Sequence, residues 1–296
     1  MDSSVRELSE QLLGTWPLPR PAGHSDKEDR GHALVIAGSR ELPGAALLAV
    51  NTAFRAGCGK VTLMTGQSIA VQLAVAVPEA RVVGLSESVS GGLAADRQLI
   101  TETLRLCNAV LMGPGLTDED KTSGLVKMVL ENIDGQCVVL DALAMDIALQ
   151  GQPFRQKVLL TPHAGEMAHL TRQTKDAVCA NLLVTARLLA EAVHACVLLK
   201  GAESFLVPVQ GEAYRHKAQI PGLAISGSGD VLAGLIVGLL ARGATLEQAA
   251  AWSVVAHATA GKRLATSKSV LGYLARELPA ELPGVLQSIA TPRAGN

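Results

Sequence analysis

The chain has 296 residues and a formal net charge of −1; 48% of it is hydrophobic, yet aromatic residues supply only 2%. The length suffices for a large core. The balanced charge, with two Trp and two Tyr, excludes a nucleic-acid surface built on a basic field or on exposed stacking platforms. The core must be made of Ala, Val, Leu and Ile, which suits helices packed closely on a buried sheet.

In chain order, residues 1–31 read as an N-terminal arm. It holds a short amphipathic segment over 5–13, then Pro17, Pro19 and Pro21, then the charged stretch Asp26-Lys27-Glu28-Asp29-Arg30. The remainder, 32–296, reads as a single domain. Residues 32–37 are an apolar run between Gly31 and Gly38, the mark of a buried strand. An Ala-rich helix follows over 44–56, closed by Gly57. Then come a strand at 60–64, a helix near 69–76 and a strand at 81–85. The cycle repeats with a helix near 94–106, a strand at 108–112 and a helix capped by Asp118.

Strands at 137–140 and 158–160 come next, then one long helix near 177–194 and a strand at 196–199. Segments 204–209 and 212–216, joined around Gln210-Gly211, predict a hairpin at the sheet edge. After Asp230 the chain is helical almost to its end. Strand–helix alternation with near-continuous apolar strands predicts an α/β fold, a largely parallel sheet covered on both faces. In such folds ligands lie at the carboxyl ends of the strands.

Cys58, Cys107, Cys137, Cys179 and Cys196 are scattered singly, and the seven histidines show no ligand spacing, so the cysteines read as reduced core residues without a zinc site. The polar N-terminus lacks a signal-peptide core, and the longest apolar or glycine run, 231–241, is too short to span a bilayer. A soluble cytoplasmic protein is expected, with no membrane or nucleic-acid partner.

The most informative stretch is Ser226-Gly227-Ser228-Gly229-Asp230, a small-residue turn leading into an apolar helix. Glycines let the backbone approach a ligand, and the first helical turn offers unpaired N–H groups at the positive end of the macrodipole. That combination suits an anion. A lone carboxylate beside it serves either as an ordinary helix-start residue or as the base that takes a proton from a hydroxyl about to receive a phosphoryl group.

Four loops follow predicted strands. Gly38-Ser39-Arg40-Glu41-Leu42-Pro43-Gly44-Ala45-Ala46 is neither a dinucleotide fingerprint nor a Walker loop. Gly113-Pro114-Gly115-Leu116-Thr117 is a stiff turn. Thr161-Pro162-His163-Ala164-Gly165-Glu166 places polar groups at a strand end, although Glu166 would also complement a helix dipole and His163 would also serve as a plain loop residue. In Leu199-Lys200-Gly201-Ala202-Glu203-Ser204 the lysine can meet a phosphate as a point charge, or simply guard a sheet edge.

Taken together, Thr-Pro-His-x-Gly-Glu at 161–166, Leu-Lys-Gly-Ala at 199–202 and Gly-Ser-Gly-Asp-Val-Leu-Ala-Gly at 227–234 make the chain similar, from about 31 to 261, to the NAD(P)H-hydrate dehydratase family. The loop ending at Ala45 and Gly-Pro-Gly-Leu at 113–116 support the likeness. The resemblance implies a ribokinase-like three-layer sandwich. It implies repair of hydrated NADH and NADPH, in which ADP or ATP phosphorylates the ring hydroxyl and phosphate then leaves as the double bond re-forms. By position, Asp230 would be the catalytic base. Gly227, Ser228 and Gly229 would steady the phosphoryl group, and Lys200, Gly201, Ala202, Glu203, Ser204 and Gly229 would bind the nucleotide. Ala45, Gly115, His163 and Asp230 would line the hydrate site.

The likeness further implies Mg²⁺ bridging the phosphates, a homo-oligomer such as a tetramer, and a separate epimerase, since 31 residues are too few for an epimerase domain. Two departures stand out. The family writes Asp-Ala-Asp-Ala-Leu where this chain has Asp141-Ala142-Leu143-Ala144-Met145, and Arg40 and Glu41 replace small or aromatic residues. Two other functions fit the same anion turn. One is a small-molecule kinase of this fold, which stops after phosphoryl transfer. The other is a silent nucleotide-binding protein, which has no need of a base at 230.

Overall fold

The computed structural model describes residues 5–20, 23 and 26–291. Its strands are β1 (Val5–Glu7), β2 (His32–Ile36), β3 (Lys60–Gly66), β4 (Arg81–Leu85), β5 (Ala109–Met112), β6 (Cys137–Leu140), β7 (Val158–Leu160), β8 (Cys196–Leu199), β9 (Glu203–Val207) and β10 (Ala213–Lys217). The helices before β6 are α1 (Glu10–Gly14), α2 (Pro43–Arg55), α3 (Gln67–Ala76), α4 (Arg97–Leu104) and α5 (Glu119–Asn132). Those after it are α6 (Ala164–Thr171), α7 (Lys175–Ala180), α8 (Leu182–Val193), α9 (Ser228–Ala241), α10 (Leu246–Ser267) and α11 (Leu278–Ala290).

All ten strands join one sheet in the order β1-β10-β9-β8-β7-β6-β5-β2-β3-β4. Neighbours from β4 to β8 run parallel, and β9 and β10 turn antiparallel. Because side chains alternate along a strand, each central strand feeds two cores. Ala33 and Val35 of β2 pack with α2, α9, α10 and α11, whereas Leu34 and Ile36 pack with α4, α5, α6 and α8. This is the expected three-layer α/β sandwich.

One helix contact sets the site. α9 is apolar all round and buried from Val231 to its end. A Cβ at Gly234 would lie 2.3 Å from the Ala49 carbonyl oxygen, and one at Gly238 would lie 2.7 Å from that of Ala53. Only glycine permits so close a crossing of α9 over α2, and the crossing brings the starts of the two helices side by side.

Several expectations need correction. The amphipathic segment 5–13 is not one element: Val5 pairs with Ala213 as β1, and α1 follows. Its polar, three-residue strand is specified by a partner some 200 residues away, which local pattern cannot reveal. The 9–10 hairpin therefore does not form the sheet edge, since β1 covers it. The residues after α1 are fastened down: Trp252 Nε1 donates to the Trp16 carbonyl at 2.8 Å, and Arg242 Nη2 donates to that of Pro19 at 3.1 Å. Met1 to Ser4 and Pro21 of the expected arm lie outside the described residues. The long helix expected over 177–194 breaks into α7 and α8 at Asn181, whose backbone (φ −141°, ψ 47°) leaves the helical region.

Candidate active site

The carboxyl ends of β6, β7 and β8 bring three polar groups together. Asp141 directly follows β6, Thr161 follows β7 and Lys200 follows β8. Asp141 Oδ1 accepts from Thr161 Oγ1 at 2.6 Å and from Lys200 Nζ at 2.8 Å. Glu166 Oε2 lies 3.9 Å from the same ammonium. Burial alone would favour loss of the lysine's proton, but the adjacent carboxylates of Asp141 and Glu166 outweigh it and hold the Lys200 pKa above its ordinary value. Lys200 is therefore a fixed cation inside the sheet, not an edge guard.

The 161–166 loop serves two purposes at once. His163 Nδ1 accepts from the Gly165 and Glu166 amides at 2.9 and 3.1 Å, while Glu166 Oε2 accepts from the His163 amide at 2.7 Å. This reciprocal cap starts α6. With Nδ1 accepting, the ring's proton sits on Nε2, which lies 3.8 Å from Glu166 Oε2.

α9 begins differently. Its N-cap, Gly227, sits at φ 88°, and no side chain caps it. A Cβ at Gly227 would fall 2.5 Å from Leu48 Cδ1, so the turn is shut against α2. Asp230 is the third residue of α9. Burial, followed by the neighbouring Asp141 charge, raises its pKa to about 6, against the opposing pull of Lys200. A carboxylate tuned near neutrality at an uncapped helix start can accept a proton at physiological pH and tolerate an incoming anion.

A cavity of about 720 Å³ opens beside this helix start. Its lining combines polar groups, among them His163, Lys200, Ser204, Ser228 and His257, with apolar ones such as Ile220, Leu223, Leu232 and Val254, and it includes Gly201, Ala202 and Gly229. A cavity of this size with both cationic and apolar lining fits a nucleotide's phosphates and base. Glu203 is not among the lining residues: its carboxylate lies 3.3 Å from Arg215 Nη1 and 3.6 Å from Lys217 Nζ. Ala45 and Gly115 likewise lie off the cavity but against each other, a Cβ at Gly115 falling 2.8 Å from that of Ala45. Ala45 lies on α2 three residues before Leu48, whose Cδ1 meets the Gly227 turn.

Sequence reasoning passed over Asp141, since attention fell on the missing acid at 143. Its signal was available, an acid at the carboxyl end of an apolar parallel strand. His257, on the cavity wall in α10, carried no signal at all within an Ala-rich helix. Among the described residues no cluster of three or more His, Cys, Asp or Glu side chains is placed to hold a metal ion. The Asp141 carboxylate is already engaged by Lys200 and Thr161.

A family model described as NAD(P)H-hydrate dehydratase matches residues 33–284. The ADP-dependent (S)-NAD(P)H-hydrate dehydratase of Xanthomonas campestris pv. campestris is 42% identical over 286 residues, covering 96% of this chain and 97% of that one. The crystal structure of a ribokinase-like superfamily protein from Enterococcus faecalis superposes with a TM-score of 0.83 at 25% identity, covering 97% of both chains. That of the ADP/ATP-dependent NAD(P)H-hydrate dehydratase from Bacillus subtilis, co-crystallized with ATP/Mg²⁺, gives 0.82 at 26% identity, covering 97% and 99%. The chain spans about half the length of the bifunctional NAD(P)H-hydrate repair enzymes it also matches.

Proposed function

The chain belongs to the NAD(P)H-hydrate dehydratase family, and we propose that it restores hydrated NADH and NADPH, acting on the S-epimer with ADP as phosphoryl donor. The observation that carries this reading is the position of Asp230. It stands at an uncapped helix start, next to the cavity residues Ser228 and Gly229 and after the Gly227 turn that closes on Leu48 of α2.

The chemistry follows from that placement. The ring hydroxyl of the hydrate lies on the side of Ala45 and Gly115, with His163 Nε2–H as a donor. Asp230 takes the hydroxyl proton as the oxygen attacks the terminal phosphorus of ADP, and AMP leaves. The amides of Gly227, Ser228 and Gly229 and the Lys200 ammonium receive the charge that builds on the phosphoryl oxygens. The ring C–O bond then breaks with loss of phosphate, and a proton leaves the neighbouring ring carbon as the double bond forms. The water removed from the ring thus appears as ADP converted to AMP and phosphate. Lys200, Gly201, Ala202, Ser204 and Gly229 hold the nucleotide, with Glu203 contributing backbone only.

Among the described residues no side chains build a resident metal cage, so Mg²⁺ would enter on the nucleotide's own phosphates. Residues 32–296 form the catalytic unit, to which 5–20 are fastened. Exposed Val71 and Val75 on α3 and Val184 and Leu188 on α8 support a homo-oligomer. Among the described residues no helix is long and apolar enough to cross a membrane. We place the protein with its substrate in the cytoplasm.

The test is a coupled assay: protein, Mg²⁺ and enzymatically hydrated NADH, with ADP or ATP added separately. Recovery of the reduced-nicotinamide band near ~340 nm, which belongs to the cofactor's chromophore, together with phosphate release, is the expected result. A stable phosphorylated hydrate would identify a kinase instead, and no recovery with either nucleotide would overturn the reading.

A further inference from the structure

Of the polar side chains on the cavity wall with no part in the steps above, His216, Gln219 and His257, the last lies beside the start of α9. His257 of α10 is only 8% exposed and lines the cavity, and its Nε2 lies 3.2 Å from Oγ of Ser228, the first residue of α9. Ser228 is itself 7% exposed. Beside His257, Val254 and Ala258 make the wall apolar, so an unpaired imidazole there would be costly. Burial pushes the ring's pKa down to about 4, so it is neutral, with one N–H and one acceptor nitrogen.

The two tautomers have opposite consequences. If Nε2 accepts, the Ser228 hydroxyl proton is spent on the ring, and Oγ meets an incoming anion with lone pairs only. If Nε2–H donates to Oγ, the hydroxyl proton stays free and its oxygen is fixed at the start of α9. A phosphate at that helix start selects the second arrangement. Ser228 then adds a side-chain donor to the amides of the turn, and no charge is introduced that would compete with Lys200.

We propose that His257 is a positioning residue for phosphoryl transfer, donating Nε2–H to Ser228 Oγ and thereby aiming the Ser228 hydroxyl at the terminal phosphate of a nucleoside diphosphate bound at the start of α9. The proposal rests on the dehydratase reading for its reaction, but the phosphate contact can be judged by binding alone.

The experiment compares AMP and ADP affinity by calorimetry in the intact chain and in His257→Asn, His257→Gln, Ser228→Ala and the His257→Asn/Ser228→Ala double variant. The glutamine amide reaches the place of Nε2, and the shorter asparagine does not. Intact protein is expected to prefer ADP. His257→Asn should lose about tenfold in ADP affinity, the scale of a hydrogen bond to a charged group, with AMP affinity unchanged. His257→Gln should retain the preference, and the double variant should match Ser228→Ala.

Turnover supplies a second readout. The kcat of His257→Asn should fall more than the KM for the hydrate changes, and His257→Gln should restore it. ADP and AMP affinities falling together, losses that multiply in the double variant, or no preference for ADP in the intact protein would each overturn the proposal. So would a variant set whose only change is in melting temperature. If the intact protein binds ADP selectively yet restores no hydrated dinucleotide, the dehydratase reading fails and the binding comparison still decides the role of His257.

Discussion

The two sides of Asp230 are built by different means. On the nucleotide side the parts are fixed by the core: Lys200 is clamped on Asp141, Ser228 on His257, and α9 is buried along its length. On the proposed substrate side, Ala45 lies in the first turn of α2, but Gly115 and the residues before α2 belong to loops tied by polar contacts. Arg40 is held to Glu87 at 3.2 Å and to the Ser88 carbonyl at 2.9 Å, and Asp118 accepts from Ser88 at 3.1 Å. Charge transfer needs donors that do not reorganise, which a packed core supplies. Recognition of the substrate needs surfaces that sequence can vary without loss of the fold, which loops supply.

Substitutions sharpen that contrast. The largest expected effect on stability comes from Lys200→Met, which leaves Asp141 buried without its cation. A loss of about 3–5 kcal/mol in denaturant unfolding is expected, together with loss of nucleotide binding. A stability within error of the intact protein would show that the nucleotide side is not clamped as described.

Next is Asp230→Asn. An acid whose folded pKa rises from 3.8 to about 6 contributes stability below its unfolded pKa and loses it as pH rises through the folded one. Above pH ~6 the native state therefore carries a cost on the order of 3 kcal/mol, reduced by whatever solvent reaches the carboxylate. The variant should be more stable than the intact protein at pH ~8 and equal to it below pH ~4, as unfolding midpoints at the two values would show. By the same titration, kcat/KM of the intact enzyme should rise through about pH 6.

On the substrate side, Gly115→Ala meets a left-handed backbone (φ 68°), with its Cβ 2.7 Å from the Leu42 carbonyl oxygen and 2.8 Å from Ala45 Cβ. It should cost about 1–3 kcal/mol and raise the KM for the hydrate while leaving that for ADP unchanged. A parallel rise in both constants would mean that the surface at Ala45 and Gly115 and the cavity are one site. The smallest effect belongs to Arg40→Ala. Its guanidinium is half exposed, so the pair with Glu87 should matter by no more than about 1 kcal/mol, visible only as altered preference between hydrated NADH and NADPH.

How much of this the sequence shows differs in the same way between the two sides. The buried strands were legible to the residue, as at 137–140, 158–160 and 196–199, because a strand covered on both faces is a continuous apolar run. The turn before Asp230 and the lysine at 200 were legible because glycine and charge beside apolar runs are rare. What was hidden depends on distant partners. β1 exists only because β10 is there to receive it, Glu203 turns toward Arg215 and Lys217 across the hairpin, and His257 gains meaning only when α10 lies against α9.

The measurement that tests the central claim most directly is turnover and ADP affinity of Asp230→Asn in one preparation. If Asp230 is the base between a fixed nucleotide cavity and a separate substrate surface, turnover should fall by roughly a hundredfold to ten-thousandfold, with ADP affinity nearly unchanged. Turnover equal to that of the intact protein, or an equal loss of ADP affinity, would contradict it.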